Sequence, residues 1–252
     1  MAMAQELCLD TCLTDEDFSY LEEYIYSTKP IAVALDRLQG DKAAFYGTAL
    51  PTLYMVKLQL TELLSDGLRF CNPIVVGLGQ SIDLRFADFL NCETDLGQRS
   101  AIAALSMPMF KNSWFSCISE RHRGIILKRF KALISERLPL APEAVTTPSR
   151  VDPYFNFTMV APLMSSEANA AESTLNNYLR NPSHDNTMLR EYPPIERIFR
   201  QFNTAPPSSA EVERLFSYAT MINAPRPNRI SDIRFEQRVL LRKNSVFLRL
   251  DS

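Results

Sequence analysis

This sequence has no apolar run approaching the roughly 18–20 residues that a membrane-spanning helix requires. Purely apolar stretches are a few residues long, such as Ile125–Leu127. Met1 to Asp10 lacks the basic start and apolar stretch of a secretion signal, so the chain reads as intracellular. Histidine is nearly missing: His122 and His184 are the only two, and neither has a partner at metal-ligand spacing. The five cysteines read as reduced thiols. Cys8 and Cys12 share a helical spacing, but a zinc site needs two further ligands, and Cys71, Cys92 and Cys117 are scattered. None of the seven glycines follows Gly124, which argues against a glycine-rich phosphate loop in the second half. Gly77-Leu78-Gly79 has Ile82 where a dinucleotide loop needs its third glycine, and no Gly-Lys-Ser/Thr loop occurs. Nor is there an excess of base. The net charge is −2, whereas a protein that lives on phosphate contacts ordinarily shows a basic balance or stripe.

The charge that is present is unevenly laid out. Met1 to Thr28 carries Glu6, Asp10, Asp15, Glu16, Asp17, Glu22 and Glu23 and no Lys or Arg. Pro225 to Ser252 carries Arg226, Arg229, Arg234, Arg238, Arg242, Lys243 and Arg249 against three acids. Two solvated faces are the plain reading; a basic C-terminal surface turned toward nucleic acid or an acidic partner is the sharper one. Hydrophobic residues make up 46% of the 252 positions, enough to build a core for one large domain or two small ones.

The periodicity is helical. Thr14 with Asp17 resembles a capping box and predicts a helix to about Ser27, with the next beginning at Pro30. Pro51 suits a first helical turn, and Leu53, Val56, Leu60, Leu63 and Leu64 recur at spacings of three and four. Ser65-Asp66-Gly67 ends that helix. Ile74-Val75-Val76 is the one short strand expected in the first half. Helices are expected over about Ser81–Leu90, Gln98–Leu105, Ser119–Arg137, Ala170–Leu179, Pro194–Phe202, Ser209–Ile222 and Ser231–Lys243, with Ser245–Leu250 extended. Prolines 139, 142, 148, 153 and 162 mark a linker or long exposed loop over Leu138–Ala170. Trp114 and Phe115 are expected in the core, and His184-Asp185 in a polar loop. Asn156-Phe157-Thr158 is a glycosylation sequon that, without a secretion signal, is taken as incidental.

One segment is more specific. Pro206-Pro207-Ser208-Ser209-Ala210-Glu211-Val212-Glu213-Arg214-Leu215-Phe216-Ser217 resembles the C-terminal dimerisation region of hAT-family transposases, with its Ser-rich lead-in and Glu-Arg-x-Phe-Ser hallmark. Arg226-Pro227-Asn228-Arg229-Ile230-Ser231 and Phe235 to Asn244 are similar to the step and last helix that follow it in that family. Tyr192-Pro193-Pro194-Ile195, Leu175–Leu179, Lys29–Gly40 and Met107–Lys111 are similar, more loosely, to other parts of BED-finger-type hAT proteins.

The resemblance implies a mainly α fold: the helical insertion of a hAT transposase plus the C-terminal helices of an incomplete RNase H-like domain. It divides the chain into an insertion-like region at 1–138, a Pro/Ser-rich linker or long loop at 139–170, and a dimerisation region at 171–252. In the family two aspartates before the insertion and a glutamate after it hold divalent metals for phosphodiester cleavage. Glu213 matches that glutamate; the chain is expected to begin too late for the aspartates and lacks the BED finger. The expected function is a transposase-derived, catalytically incomplete dimerisation or interaction module, placed in the nucleus by the resemblance rather than by any signal in the sequence, with no cofactor. The alternative is the C-terminal part of an active DDE-type transposase, with finger and aspartates upstream and Mg or Mn at a restored triad. The implied partners are a second copy or a related hAT protein, with DNA bound weakly if at all and no membrane. The dimerisation or core residues are Val212, Leu215, Phe216, Ala219, Ile222, Phe235, Val239 and Leu240. Nucleic-acid contacts are expected at Arg226, Arg229, Arg234, Arg238 and Arg242. Glu213 also fits a second reading, an ordinary first-turn acid that favours the helix dipole.

Overall fold

A computed structural model describes residues 13–40, 45–138, 165–222 and 231–243. Among these the chain is mainly helical, with ten α-helices, three 3₁₀ turns and no strand. The first helix, α1 (Asp15–Leu38), begins at the expected capping box: the Asp17 N–H donates to Thr14 Oγ1 at 3.3 Å, and the Thr14 N–H donates to Asp17 Oδ2 at 2.8 Å. It does not stop at Ser27 but runs through Pro30. An interior proline removes one backbone hydrogen bond and costs on the order of 3 kcal/mol. What outweighs it here is tertiary: Ile31 and Ala34, just beyond the proline, pack into a core with the next helix.

That helix, α2 (Ala49–Ser65), buries Leu53, Val56, Leu60 and Leu63, while Leu64 at the end of the expected stripe is exposed. Gly67 follows in the left-handed region at φ 74°, which glycine adopts without penalty and which closes the helix end. The strand expected at Ile74-Val75-Val76 instead lies within the first two turns of α3 (Asn72–Arg85). Pro73 sets a helical φ at its start. Val75 and Ile82, seven residues apart, are the positions it buries. Three consecutive β-branched residues are ambiguous between strand and helix, and here the helix wins.

The helix expected over Ser81–Leu90 is two pieces, α3 and the single turn α4 (Ala87–Leu90), separated at Phe86. Then α5 (Asp95–Leu105) starts three residues earlier than expected, capped by Thr94, whose Oγ1 accepts the Gly97 N–H at 3.0 Å. It is the central helix: Ala101 to Leu105 are all buried, so it is surrounded rather than amphipathic. Gly97 lets the backbone pass close to Asn91, whose carbonyl oxygen lies 1.9 Å from where a Cβ would stand. Around α5 pack α2, α6 (Glu120–Ser135) and α8 (Pro193–Phe202), while α7 (Ser165–Arg180) packs on α6. The helix α7 begins five residues before the expected Ala170. The larger core joins Leu50 and Tyr54 of α2, Ile102 and Leu105 of α5, Phe130 of α6, Tyr178 of α7 and Ile198 of α8. It therefore draws on both sides of residues 139–164. Trp114 and Phe115 are buried in it as expected, ring to ring at 4.9 Å.

The last two helices, α9 (Ala210–Ile222) and α10 (Asp232–Lys243), pack on each other. Their attachment to the rest includes two long-range hydrogen bonds at the end of α1. Ser208 Oγ donates to the Leu38 carbonyl at 2.9 Å, and an Arg214 guanidinium N–H donates to the Gln39 carbonyl at 2.5 Å. No helix among the described residues is long and apolar enough to cross a membrane.

A candidate interaction surface on the C-terminal helices

Ser209 immediately precedes α9, and its side chain reaches into the first turn. Its hydroxyl donates to Glu213 Oε1 at 2.5 Å, and the Glu213 N–H donates to the Ser209 carbonyl at 2.9 Å. The Glu213 carboxylate is thus held back over the helix N-terminus, where negative charge is favourable. The site as described offers one exposed carboxylate and one hydroxyl. Among the described residues, no three His, Cys, Asp or Glu side chains gather in a way that would hold a metal ion.

The residues named for burial or dimerisation divide on this pair of helices. On α9, Leu215 is half-buried, while Val212 and Phe216, one turn apart, are exposed, Phe216 by 65%. Ala219 and Ile222 belong to α9, but their side chains lie outside the described residues. On α10, Phe235 and Val239 are half-buried and Leu240 is exposed. Arg234 and Arg238, one turn apart on α10, point into solvent. Arg226 and Arg229 lie outside the described residues; Arg242 lies on α10 with its side chain outside them. Cys8 and Cys12 and Ser245–Leu250 also lie outside. Cys71, Cys92 and Cys117 are free thiols.

Two exposed apolar edges were not anticipated. On α10, Ile233 and Leu241 are exposed, Ile233 by 69%. On α1, Phe18, Leu21 and Ile25 form a stripe at spacings of three and four and are all exposed, Ile25 by 67%. The signal was present in that spacing, but the density of acids around it pointed to a solvated face. The acids themselves are largely occupied. Glu16 pairs with Arg69 at 2.9 Å. Glu23 accepts the backbone N–H groups of Arg69, Phe70 and Cys71 at 3.1, 2.8 and 2.7 Å, which caps α3 from a distance in sequence. Partial burial pushes the Glu23 carboxyl up, but the three N–H donors and the Arg69 charge outweigh it and hold it below the ordinary glutamate value.

The remaining polar features serve the fold. His184 Nδ1 lies 3.2 Å from the Pro108 carbonyl, and Asp185 accepts the Thr187 N–H at 3.0 Å to start a 3₁₀ turn, so the pair sits in a loop as expected. Lys111 is buried, with its backbone in the left-handed region at φ 47°. Its ammonium donates to the Asn181 carbonyl and, at 2.8 Å, to that of Ser183, just past the C-terminal end of α7. Burial pushes that ammonium down from the ordinary lysine value. An apolar groove of about 430 Å³ lies between α1, α2 and the turn at Ser113–Cys117. A polar cleft of about 500 Å³ is lined by Arg99, Arg129 and Arg137, two of which already face carboxylates: Arg99 that of Asp95 and Arg137 that of Glu136.

No family model, no curated protein and no solved structure matches the chain.

Proposed function

We propose that this chain is a transposase-derived, catalytically incomplete module of the hAT type that works by self-association or by pairing with a related protein, in the nucleus. The observation that carries this reading is the exposed pair Val212 and Phe216, inside the same segment that resembles the family's dimerisation hallmark. Leaving a large apolar side chain in water forgoes about 1.5–3 kcal/mol, and apolar surface clustered on adjoining helices is ordinarily an interface. The setting of Glu213 supports the non-catalytic half. Its carboxylate is engaged by Ser209, and one carboxylate does not neutralise the metal pair that phosphodiester transfer requires.

Light scattering on the purified chain at tens of micromolar tests the reading. A mass near twice 28.7 kDa is expected. Phe216→Asp should shift the mass toward the single chain with unchanged helicity, since the side chain it replaces is exposed. A clean monomer for the parent chain removes the proposal.

A further inference from the structure

The apolar, acid-flanked face of α1 has no cover among the described residues, and the chain itself carries an apolar edge with bases along one side. Phe18, Leu21 and Ile25 are exposed along one side of α1. On a helical wheel Asp15 and Glu22 lie together along one edge of that side, and both are exposed and without a partner among the described residues. The other acids nearby are engaged: Glu16 with Arg69, Asp17 in the capping box, Glu23 with three backbone amides. On α10, Ile233 and Leu241 form an exposed apolar edge with Gln237 between them; Arg234 and Arg238, which likewise meet no partner among the described residues, lie to one side of it, and the exposed Asp232 and Glu236 lie to the other. The two edges match in length. Phe18 to Ile25 spans seven residues and Ile233 to Leu241 eight, roughly 10 and 12 Å at 1.5 Å per residue.

We propose that α1 of one copy docks on α10 of a second copy, apolar edge to apolar edge, with Asp15 and Glu22 facing Arg234 and Arg238. This inference rests on the reading of the chain as self-associating and assigns the half of the interface that the C-terminal segment alone does not supply. A stable interface buries roughly 800 Å² on each partner, more than one helix face offers. A twofold arrangement makes the α1–α10 contact twice and so doubles the buried surface without a new patch. It also gives the opposite charges of the two chain ends a common purpose. Charge complementarity contributes selectivity, while the apolar edges contribute most of the affinity.

Charge reversal tests the pairing. One variant carries Asp15→Lys and Glu22→Lys; the other carries Arg234→Glu and Arg238→Glu. Masses are read by light scattering at tens of micromolar in about 150 mM salt. Each variant alone brings like charges together at both contacts and should weaken the dimer about tenfold or more. An equimolar mixture restores opposite charges at both contacts and should regain the dimer mass. A variant that failed to fold would not be rescued by mixing, so rescue separates repulsion from misfolding. Two weakened variants whose mixture stays monomeric overturn the pairing. So does a parent dimer that the α1 variant leaves intact, although self-association through α9 and α10 then stands. A monomeric parent overturns this proposal and the proposed function together.

Discussion

Asn203, just past the end of α8, accepts the Gly47 N–H through Oδ1 at 2.8 Å across 156 residues of sequence. Its Nδ2 donates to the Ala103 carbonyl at 3.3 Å and to Ser106 Oγ at 3.1 Å. One buried amide thus ties the turn before α2, the central helix α5 and the end of α8 together. A buried donor that loses its partner costs roughly 1–3 kcal/mol. Asn203→Ala should therefore lower stability by that amount in a denaturant titration, and Asn203→Asp by more at neutral pH. A carboxylate still accepts from Gly47 but places buried negative charge against the Ala103 oxygen. Gly47→Ala should be at least as damaging, because its Cβ would stand 2.6 Å from the Ala103 oxygen, a backbone atom held within α5.

Acid should weaken the molecule through Glu23. Its carboxyl titrates below the ordinary glutamate value of 4.5, so the stability it contributes is fully present above that pH. The contribution is lost as pH falls through the lower, folded-state value. Glu23→Gln should thus reduce the melting temperature at pH 7, and the gap to the parent chain should close as pH drops below 4.5. Thermal melts of both proteins between pH 7 and pH 3 check this. A gap that is constant with pH would mean that the ionised carboxylate is not what caps α3.

The contrast between Glu23 and Thr14 shows how far the sequence could be read. Thr14, Asp17, Ser119 and the periodic stripes of α2 and α9 act within a few residues of themselves, and the helices they start or line are where their spacing puts them. Glu23 acts across 46 to 48 residues, and nothing near Ile74-Val75-Val76 announces that a distant carboxylate will hold the amides before it. A local rule also fails at Pro30, since the packing that carries α1 through it belongs to α2. The candidate surface was legible where it coincides with a helical stripe, at Val212 and Phe216. It was not legible on α1, where sequence alone does not tell acids already engaged by Arg69 and the α3 amides from acids left facing solvent.

The chain alone should neither nick nor transfer DNA strands. Incubation of labelled terminal-repeat DNA with Mg²⁺ or Mn²⁺ should leave it intact, because among the described residues no group of carboxylates gathers with Glu213 to hold a two-metal site. Glu213→Gln should change only stability, by about 0.3–1 kcal/mol through the lost charge at the first turn of α9. Nicking that disappears in Glu213→Gln would contradict this and reinstate the metal-ligand role.

DNA binding should be weak and ionic. Within the described basic segment, Arg234 and Arg238 are the exposed guanidiniums, and each phosphate neutralised contributes about −0.9 to the slope of log K against log salt. Loss of both should therefore flatten that slope by about two units. Asp15 and Glu22 of α1 should also compete for the same arginines, whether from a second copy or through the field they add around the molecule. A fluorescence titration at about 150 mM salt should give dissociation constants in the nonspecific range, about 10⁻⁴–10⁻⁶ M, with little preference between sequences. Asp15→Lys with Glu22→Lys should tighten that binding by removing the competitor, while Arg234→Glu with Arg238→Glu should weaken it. Submicromolar, sequence-selective binding by the parent chain would show instead that the basic segment reads DNA, and the two arginines would then have to be assigned to phosphates or bases rather than to α1.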